Sequence, residues 1–311
     1  MKNKKIVVTG GAGFIGSNLA RYLSNETNHV VVLDNLSTGH LENIQDLIAA
    51  EQVDFINGSI TDLNMLQDVF KGVDYVFHEA ALPSVPRSVK EPLLTNQVNS
   101  NGTLNVLVAA KDAGVKKVIY ASSSSVYGDT PTLPKKESMI PNPLSPYAVS
   151  KLAGEYYCQV FSRVYGLPTV VLRYFNVYGP HQDPASEYAA VIPKFITRVL
   201  DHQHIVIYGD GEQTRDFTFV ADVVRANILA AESKISGVFN AAGGKRVTLN
   251  DLAQTIMMLC EKRVEIVYEG VRPGDITHSL ADISQAHKGF GYVPECDLNE
   301  GLKETIQWFQ K

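Results

Sequence analysis

A tyrosine and a lysine four residues apart could transfer a proton together. They lie in the segment SPYAVSK (145–151), where residues four apart share one face of a helix and Pro146 suits its first turn. A phenol has an ordinary pKa of about 10 and is a poor base at neutral pH, but a nearby ammonium group, together with an oxidised nicotinamide, favours the phenolate. The spacing therefore predicts that Tyr147 is a general base and that Lys151 lowers its pKa. The same spacing also occurs on ordinary surface helices. The neighbouring elements must therefore decide between a catalytic pair and two surface side chains.

Four consecutive serines offer hydroxyl groups at the end of a predicted strand. Ser122 to Ser125 follow the apolar run Val118–Tyr120 and precede the turn VYG (126–128). Side chains alternate between the two faces of a strand, so only some of these hydroxyls can face a ligand. We expect one serine to share a hydrogen bond with Tyr147 and a substrate oxygen. At least two of the four should serve only the strand end and the turn.

The segment TGGAGFIG (9–16) is typical of a loop that binds a diphosphate. Its glycines, Gly10, Gly13 and Gly16, allow a tight turn and a close approach of the backbone to the phosphates. The helix that follows directs free N–H groups and the positive end of its dipole toward the same point. Asp34 ends the second predicted strand, where a carboxylate binds both ribose hydroxyls and repels a 2′-phosphate. These features predict NAD, rather than NADP, as the cofactor.

Short β-branched runs alternate with helical patterns in the first half of the chain. The predicted strands are Ile6–Thr9, Val30–Leu33, Val53–Ile56, Tyr75–His78, Val118–Tyr120 and Thr169–Leu172. Helices are predicted near 14–25, 40–51, 62–70, 92–114 and 146–165. The alternation indicates an α/β fold with a Rossmann-like, doubly wound parallel sheet. Its carboxyl edge would bring the tyrosine, the serines and the glycine loop together.

Beyond Arg173 the alternation gives way to irregular segments rich in Gly, Pro and Asp. This change predicts a smaller α/β lobe that binds the substrate over the carboxyl edge of the sheet. We therefore assign residues 1–175, with a return segment near 218–240, to an NAD-binding domain. Residues 176–217 and 241–311 form the predicted substrate-binding domain.

The composition excludes several classes of protein. The net charge of −5 over 311 residues gives no reason to expect binding to nucleic acid or to an anionic membrane. No apolar run approaches the roughly 20 residues of a membrane span. The eight histidines and three cysteines show neither metal-ligand spacing nor a disulfide framework, so we expect no metal. A soluble protein of a reducing compartment, the cytoplasm, is predicted.

With these motifs, the sequence resembles the extended short-chain dehydrogenase/reductase family over nearly its whole length, and most closely the UDP-hexose 4-epimerases. The spacing GxxGxxG, the segment SPYAVSK and the run SSSSVYG carry the resemblance. It implies that Ser123, four residues before Tyr127, is the active hydroxyl, with Ser124 as the near alternative and with Ser122 and Ser125 serving the strand end and the turn. Further implied NAD contacts are Phe14, Ile15, Asn35, Ser37, Thr38, Gly39, Ser59, Ile60, Ala80, Ala81, Asn99 and Phe175. Ser59 is a departure, because the family usually has an aspartate there for the adenine amino group.

The resemblance also implies a UDP-sugar site. The uridine-binding strand corresponds to Val206 and Tyr208, and the ribose contact to Asp275. Two arginines, Arg215 and Arg272, match the pair that holds the diphosphate, for which guanidinium groups are well suited. The sugar contacts implied by the family are Ser84, Ser123, Tyr147, Asn176, Ala190, Val191 and Ser279.

Ser279 bears most on the choice of sugar. Enzymes of the family that are restricted to UDP-glucose and UDP-galactose carry a large tyrosine at this place, whereas a serine leaves volume for a 2-acetamido group. Ser279 and the segment SVPRS (84–88) are similar to the UDP-N-acetylglucosamine 4-epimerase subgroup. A small residue with no substrate contact is the alternative interpretation.

The implied activity is that of an isomerase with tightly bound NAD. It would interconvert UDP-N-acetylglucosamine and UDP-N-acetylgalactosamine, and also UDP-glucose and UDP-galactose, through a 4-keto sugar. A UDP-glucuronate 4-epimerase is the alternative, because that subgroup also uses SSSSVYG. A dehydratase is disfavoured, since Ser125 stands where those enzymes carry an acid. A catalytically silent NAD- or nucleotide-sugar-binding protein is disfavoured by the intact Tyr147 and Lys151.

The resemblance has two further implications. Family members commonly dimerise through two long helices, and the segments near 92–114 and 146–165 match them, so we expect a homodimer with a four-helix bundle. Polysaccharide biosynthesis is the usual destination of the product sugars.

Overall fold

The computed structural model describes residues 1–184, 190–271 and 277–310, in which strands and helices alternate. The strands are β1 (Lys5–Thr9), β2 (His29–Asp34), β3 (Val53–Asn57), β4 (Tyr75–His78), β5 (Lys117–Ser123), β6 (Thr169–Tyr174), β7 (Val177–Tyr178), β8 (Ile205–Tyr208), β9 (Thr214–Asp216), β10 (Thr218–Phe219), β11 (Gly237–Ala241), β12 (Arg246–Thr248) and β13 (Ile266–Glu269). The helices are α1 (Phe14–Ser24), α2 (Gln45–Ala49), α3 (Leu63–Val69), α4 (Val85–Lys90), α5 (Pro92–Asn96), α6 (Gly102–Asp112), α7 (Pro146–Val164), α8 (Val191–Leu200), α9 (Val220–Glu232), α10 (Leu249–Leu259), α11 (Ser284–Phe290) and α12 (Leu298–Phe309).

Seven strands form one parallel sheet in the order β11-β6-β5-β4-β1-β2-β3. The order runs outward in opposite directions from β1 and β4, which opens a crevice at the carboxyl ends of these strands. All six predicted strands are present, each within three residues of its predicted bounds. The predicted Rossmann-like, doubly wound fold is therefore confirmed.

Helices cover both faces of the sheet, which is why its strands are almost entirely apolar. Ile6 and Val8 of β1 belong to the cluster under α1, α9 and α11, and Val7 belongs to the cluster under α3, α6 and α7. The predicted return segment supplies α9 and β11, and β11 pairs with β6. Helix α11 packs on this same layer, although it lies in the range assigned from sequence to the second domain.

A separate apolar cluster joins α8, α10 and α12 with the short strands β7, β8 and β10. Three two-stranded sheets, β10-β7, β12-β9 and β13-β8, belong to this smaller layer. The division at residue 176 into two domains stays a prediction.

The helix predicted over 92–114 is built in pieces. Helix α5 begins at Pro92 and continues through a π-helical turn, Gln97–Asn101, into α6. Such turns re-aim side chains within a helix. Here the amide of Asn99 accepts from the Leu82 backbone N–H (2.8 Å) and donates to the hydroxyl of Ser150 in α7 (3.0 Å).

Helix α7 is fixed to the sheet by buried polar contacts and a close approach. Ser145 caps it by accepting from the N–H of Ala148 at 3.1 Å. Gly154 allows it to approach β5, since a Cβ there would lie 2.2 Å from the hydroxyl oxygen of Tyr120. The next residue, Glu155, forms a two-pronged ion pair with Arg173 of β6, with N–O distances of 2.9 and 2.6 Å. The position of α7 over β5 and β6 is thereby determined.

Arg173→Met is expected to lower the free energy of unfolding by about 3–5 kcal/mol, because it leaves a buried carboxylate without its cation. Chemical denaturation followed by circular dichroism measures this difference. Lys71→Met breaks an exposed ion pair with Asp68 and should change the free energy by less than about 1 kcal/mol. Equal effects of the two substitutions would contradict the anchoring role of Arg173.

Candidate active site

A cleft of about 990 Å³ runs along the carboxyl edge of the main sheet. It brings together most of the residues predicted from sequence. These are Gly10, Gly13, Phe14, Ile15, Gly16, Asp34, Asn35, Ser37, Thr38, Ser59, Ile60, Ala80, Ala81, Ser84, Ser123, Ser124, Tyr147, Lys151, Asn176 and Ala190. The glycine loop and the Tyr147 hydroxyl thus open onto one continuous space.

The glycine loop offers a helix end that no side chain caps. Gly13 precedes α1 in an extended conformation and makes no side-chain cap hydrogen bond. Gly16 must be glycine, since a Cβ there would lie 2.2 Å from the carbonyl oxygen of Gly10. The first amides of α1 therefore face the cleft at short range, as a diphosphate requires.

Asp34 is held where a ribose would lie in a dinucleotide site. Its Oδ2 accepts from the N–H of Ala12 at 3.0 Å, and its Oδ1 accepts from the N–H of Leu36 at 2.8 Å. Each carboxylate oxygen retains a second lone pair. The uncapped helix end and this ordered carboxylate fit NAD.

Tyr147 and Ser123 both line the cleft. Burial raises the pKa of Tyr147 above its usual value, and the nearby hydroxyl of Ser123 opposes this rise. The phenol therefore keeps its proton at neutral pH in this structure. Ser123 also accepts from the N–H of Ser125 at 3.1 Å, which fixes the hydroxyl that faces Tyr147.

The expectation that Lys151, together with oxidised nicotinamide, lowers the pKa of Tyr147 stays a prediction. The Lys151 ammonium donates to the carbonyl of Ala121 at 2.8 Å and lies 5.1 Å from the centre of the Tyr120 ring. Burial lowers the pKa of Lys151 to about 8, although the nearby carboxylate of Glu79 acts in the opposite direction. The lysine is thus committed to the end of β5, and its own charge is costly in this buried position.

The four serines divide between structure and cleft. Ser122 points to the helix side and donates to Glu155 at 2.5 Å, which matches the structural role expected for it. Ser125 differs from expectation. Its N–H serves the turn, as predicted, but its hydroxyl lines the cleft and is buried without a hydrogen-bond partner.

Three predicted cofactor residues lie behind the cleft wall rather than on it. Gly39 packs against Asp34, since a Cβ there would be 2.9 Å from its Oδ2. Asn99 is buried and holds the backbone that follows Ala81. Phe175 is fully buried against Tyr127, so the interpretation as a core aromatic describes it here.

The predicted substrate residues of the smaller layer are less closely gathered. Val191, Val206, Tyr208, Arg215 and Ser279 are not among the described residues of the cleft wall. Arg215 is held by the carbonyls of Thr214 and Thr277, at 3.0 and 3.3 Å. Arg272 and Asp275 lie outside the described residues.

Sequence reasoning missed three further residues of the cleft, Glu79, His40 and Asp183. Glu79 lines it directly after β4 and accepts from the Tyr174 hydroxyl at 2.9 Å. His40 and Asp183, both on the cleft wall, approach to 3.4 Å between Nε2 and Oδ2. Glu79 could have been found from the sequence, because it is a charged residue directly after a largely apolar strand.

A sequence profile of the NAD dependent epimerase/dehydratase family matches residues 6–242. The chain belongs to this family. The resemblance drawn from the motifs is thereby confirmed, as is NAD as the cofactor. None of the described helices combines the length and the hydrophobicity of a membrane span. In the described ranges, no three His, Cys, Asp or Glu side chains are grouped to hold a metal ion.

Three similar proteins are named as 4-epimerases and differ in the sugar. A solved UDP-N-acetylglucosamine 4-epimerase from Methanobrevibacter ruminantium M1, in complex with UDP-N-acetylmuramic acid, is 48% identical, with a TM-score of 0.96 and coverage of 100% of this chain and 99% of that chain. The Thermotoga maritima UDP-glucose 4-epimerase with UDP-glucose is 41% identical, with a TM-score of 0.94 and 98% of each chain covered. A putative UDP-glucose 4-epimerase from Methanocaldococcus jannaschii is 40% identical over 307 residues, 98% of each chain.

Proposed function

We propose that this protein is a UDP-sugar 4-epimerase that interconverts UDP-N-acetylglucosamine and UDP-N-acetylgalactosamine. The observation that carries the proposal is the position of Ser123 and Tyr147 together in a cleft continuous with the dinucleotide loop. The relatives described above share the 4-epimerase activity in their names. The Methanobrevibacter enzyme, at 48% identity, is named for the N-acetylated sugar.

The reaction needs one proton and one hydride to leave the C4 position and to return. NAD, when bound, supplies the acceptor and donor for the hydride. Tyr147 takes the proton of the C4 hydroxyl, and Ser123 holds the sugar oxygen and the phenol in one hydrogen-bonded line. The 4-keto sugar then turns about its diphosphate linkage, so that its other face meets the same groups.

Tyr147 can act as a base only after its pKa falls. Burial raises that pKa, and the Lys151 ammonium is bound to a backbone carbonyl. An added positive charge in the cleft favours the phenolate, and oxidised nicotinamide carries such a charge. Tyr147 is therefore neutral in the protein alone, and it becomes a base when the positive charge of the cofactor lowers its pKa.

The positions of the remaining cleft residues indicate which part of the cofactor each one would bind. The amides of Phe14 and Ile15 would bind the diphosphate, and Asp34 would bind the adenosine ribose. Ser59 lines the cleft, and its hydroxyl already bonds that of Thr61 at 2.8 Å. A shared hydroxyl can still accept a bond from the adenine amino group, in place of the aspartate usual in the family.

Asn176 and Ser279 support the choice of substrate. Asn176 lines the cleft, and its amide donates to the carbonyl of Asp216 at 3.0 Å, so it is fixed where the two layers meet. The Ser279 N–H donates to the carbonyl of Thr214 at 3.0 Å, which ties it to β9 beside Arg215. A small side chain there leaves room for an acetamido group, as the sequence predicts.

UDP-glucuronate is the second candidate substrate. Arg87 and Lys90 line the cleft next to Ser84, and a guanidinium or ammonium group suits a uronate carboxylate. Against this, the Nε of Arg87 already pairs with Glu91 at 2.9 Å. Elimination chemistry is disfavoured, since the cleft residue before Val126 is Ser125, which is a poor acid.

Incubation of the purified protein with UDP-N-acetylglucosamine is expected to give UDP-N-acetylgalactosamine, separated by chromatography. UDP-glucose and UDP-glucuronate are tested in parallel. Tyr147→Phe should lower kcat by about 10²–10⁴-fold. Ser279→Tyr should lower kcat/KM for the N-acetylated sugar roughly tenfold or more and spare UDP-glucose, whereas Ser279→Ala spares both. No conversion of the N-acetylated sugar, or full N-acetyl activity in Ser279→Tyr, would contradict the substrate assignment.

A homodimer is part of the proposal. Helix α7 exposes a stripe of apolar side chains, Val149, Tyr156, Val160 and Val164, and Leu93 of the neighbouring helix α5 is also exposed. Such a continuous apolar stripe is costly in water and suits a second copy packed as a four-helix bundle. A cytoplasmic location and a role in polysaccharide biosynthesis complete the proposal.

Val160→Glu should shift the protein from dimer to monomer in sedimentation velocity, because it places a charge in the middle of the apolar stripe. Met258→Glu, at an exposed position on α10, is the matched control and should leave the dimer intact. A monomeric wild-type protein at micromolar concentration would overturn this part of the proposal.

A further inference from the structure

Glu79 places a carboxyl group in the floor of the cleft. It directly follows β4, and its N–H donates to the carbonyl of Thr9 at 3.1 Å, so its backbone is fixed. One carboxyl oxygen accepts from the hydroxyl of Tyr174, whose own oxygen accepts from the amide of Asn227 at 2.8 Å. The side chain is thus held in one orientation by a short chain of hydrogen bonds.

The second carboxyl oxygen of Glu79 has no hydrogen-bond partner among the described residues and is shielded from solvent. Burial of an unpartnered carboxylate oxygen is costly. Burial accordingly raises the pKa of Glu79 to about 7, although the bond from Tyr174 and the charge of Lys151 both lower it. A carboxylate buried in this way is stabilised by a nearby positive charge.

Glu79 lies beside the end of β5 that binds Lys151. Strands β4 and β5 pair with His78 opposite Tyr120, and the carbonyl of the next residue of β5, Ala121, accepts from the Lys151 ammonium. Two carboxylates act on the buried ammonium, those of Glu79 and Glu155. Both oxygens of Glu155 are already bonded to Arg173, and one also accepts from Ser122. In the described part of the chain, Glu79 has no ion pair of its own. Charge balance therefore couples Glu79 to Lys151.

We propose that Glu79 is a positioning residue that acts through Lys151, by holding this buried lysine as the ammonium next to Tyr147. The catalytic consequence rests on the proposed 4-epimerase function. The coupling of the two charges is a property of the protein alone.

The sign of the effect follows from the charges. A carboxylate at position 79 raises the pKa of Lys151, so its removal lowers the pH at which Lys151 loses its proton. Other groups face the pair: His78, Tyr120, Tyr147, Glu155, Cys158, Arg173 and Tyr174. His78 stays neutral because burial lowers its pKa to about 3, and burial raises the pKa of Cys158 and of the three tyrosines. Glu79 and Lys151 are the members of this set that titrate near neutral pH.

The test is a titration of Lys151 in the full chain, by NMR of protein labelled with ¹³C at the lysine ε-carbon. Lys151→Met identifies the signal. Glu79→Gln is expected to lower the midpoint of Lys151 by roughly one pH unit. The matched control is Glu137→Gln, a half-buried carboxyl, which lies outside the cleft and accepts from the N–H of Asn240. An unchanged Lys151 midpoint in Glu79→Gln overturns the proposal.

A second variant controls for a local structural change caused by Glu79→Gln. Tyr174→Phe removes the hydrogen bond that lowers the pKa of Glu79, so Glu79 should titrate at higher pH while its carboxyl remains. The Lys151 midpoint should then move in the same direction as in Glu79→Gln, by a smaller amount. A shift in the opposite direction would contradict the coupling.

Kinetics then connect the pair to turnover. In Glu79→Gln we expect the fall of kcat at alkaline pH to begin about one pH unit lower, with KM for the UDP-sugar unchanged. An unchanged pH profile would overturn the catalytic consequence. If the wild-type protein converts no UDP-sugar while the NMR shift is seen, the proposed function fails and the coupling stands.

Discussion

A buried ion pair between Glu155 and Arg173 determines where the reacting groups lie. Glu155 belongs to the same helix as Tyr147 and Lys151, and Arg173 belongs to β6, so the pair fixes α7 across the carboxyl end of the sheet. Ser122 joins the pair through its hydroxyl, which turns Ser123, the next residue of β5, toward the cleft. The shared position of Ser123 and Tyr147 in the cleft depends on this arrangement, and so does the proposed chemistry.

The cost of burial explains why the site differs from the simple picture of a lysine that activates a tyrosine. Burial disfavours the phenolate of Tyr147 and the ammonium of Lys151 alike. The Lys151 ammonium is bound by the carbonyl of Ala121, and Ser123 opposes the rise in the pKa of Tyr147.

Much of the fold and the loop for the dinucleotide could be predicted because their signals are local. The strands, the glycine loop and Asp34 depend on residues close together in the sequence, and the spacing of Tyr147 and Lys151 is one helical turn. Glu79 was missed because its importance comes from a hydrogen bond with Tyr174, which is distant in the sequence. The hydroxyl of Ser125 was missed because its lack of a hydrogen-bond partner depends on how distant segments pack around it. The burial that raises the pKa of Tyr147 could not be predicted for the same reason, since the degree of burial is not written in a local pattern.

The most direct test of the central claim follows a hydrogen atom at C4. UDP-N-acetylglucosamine deuterated at C4 is converted in ordinary water, and the product is examined by mass spectrometry and NMR. Oxidation and reduction of one carbon inside a closed cleft predict that UDP-N-acetylgalactosamine retains the deuterium at C4. Loss of the deuterium to solvent, or its appearance at another carbon, would contradict the account.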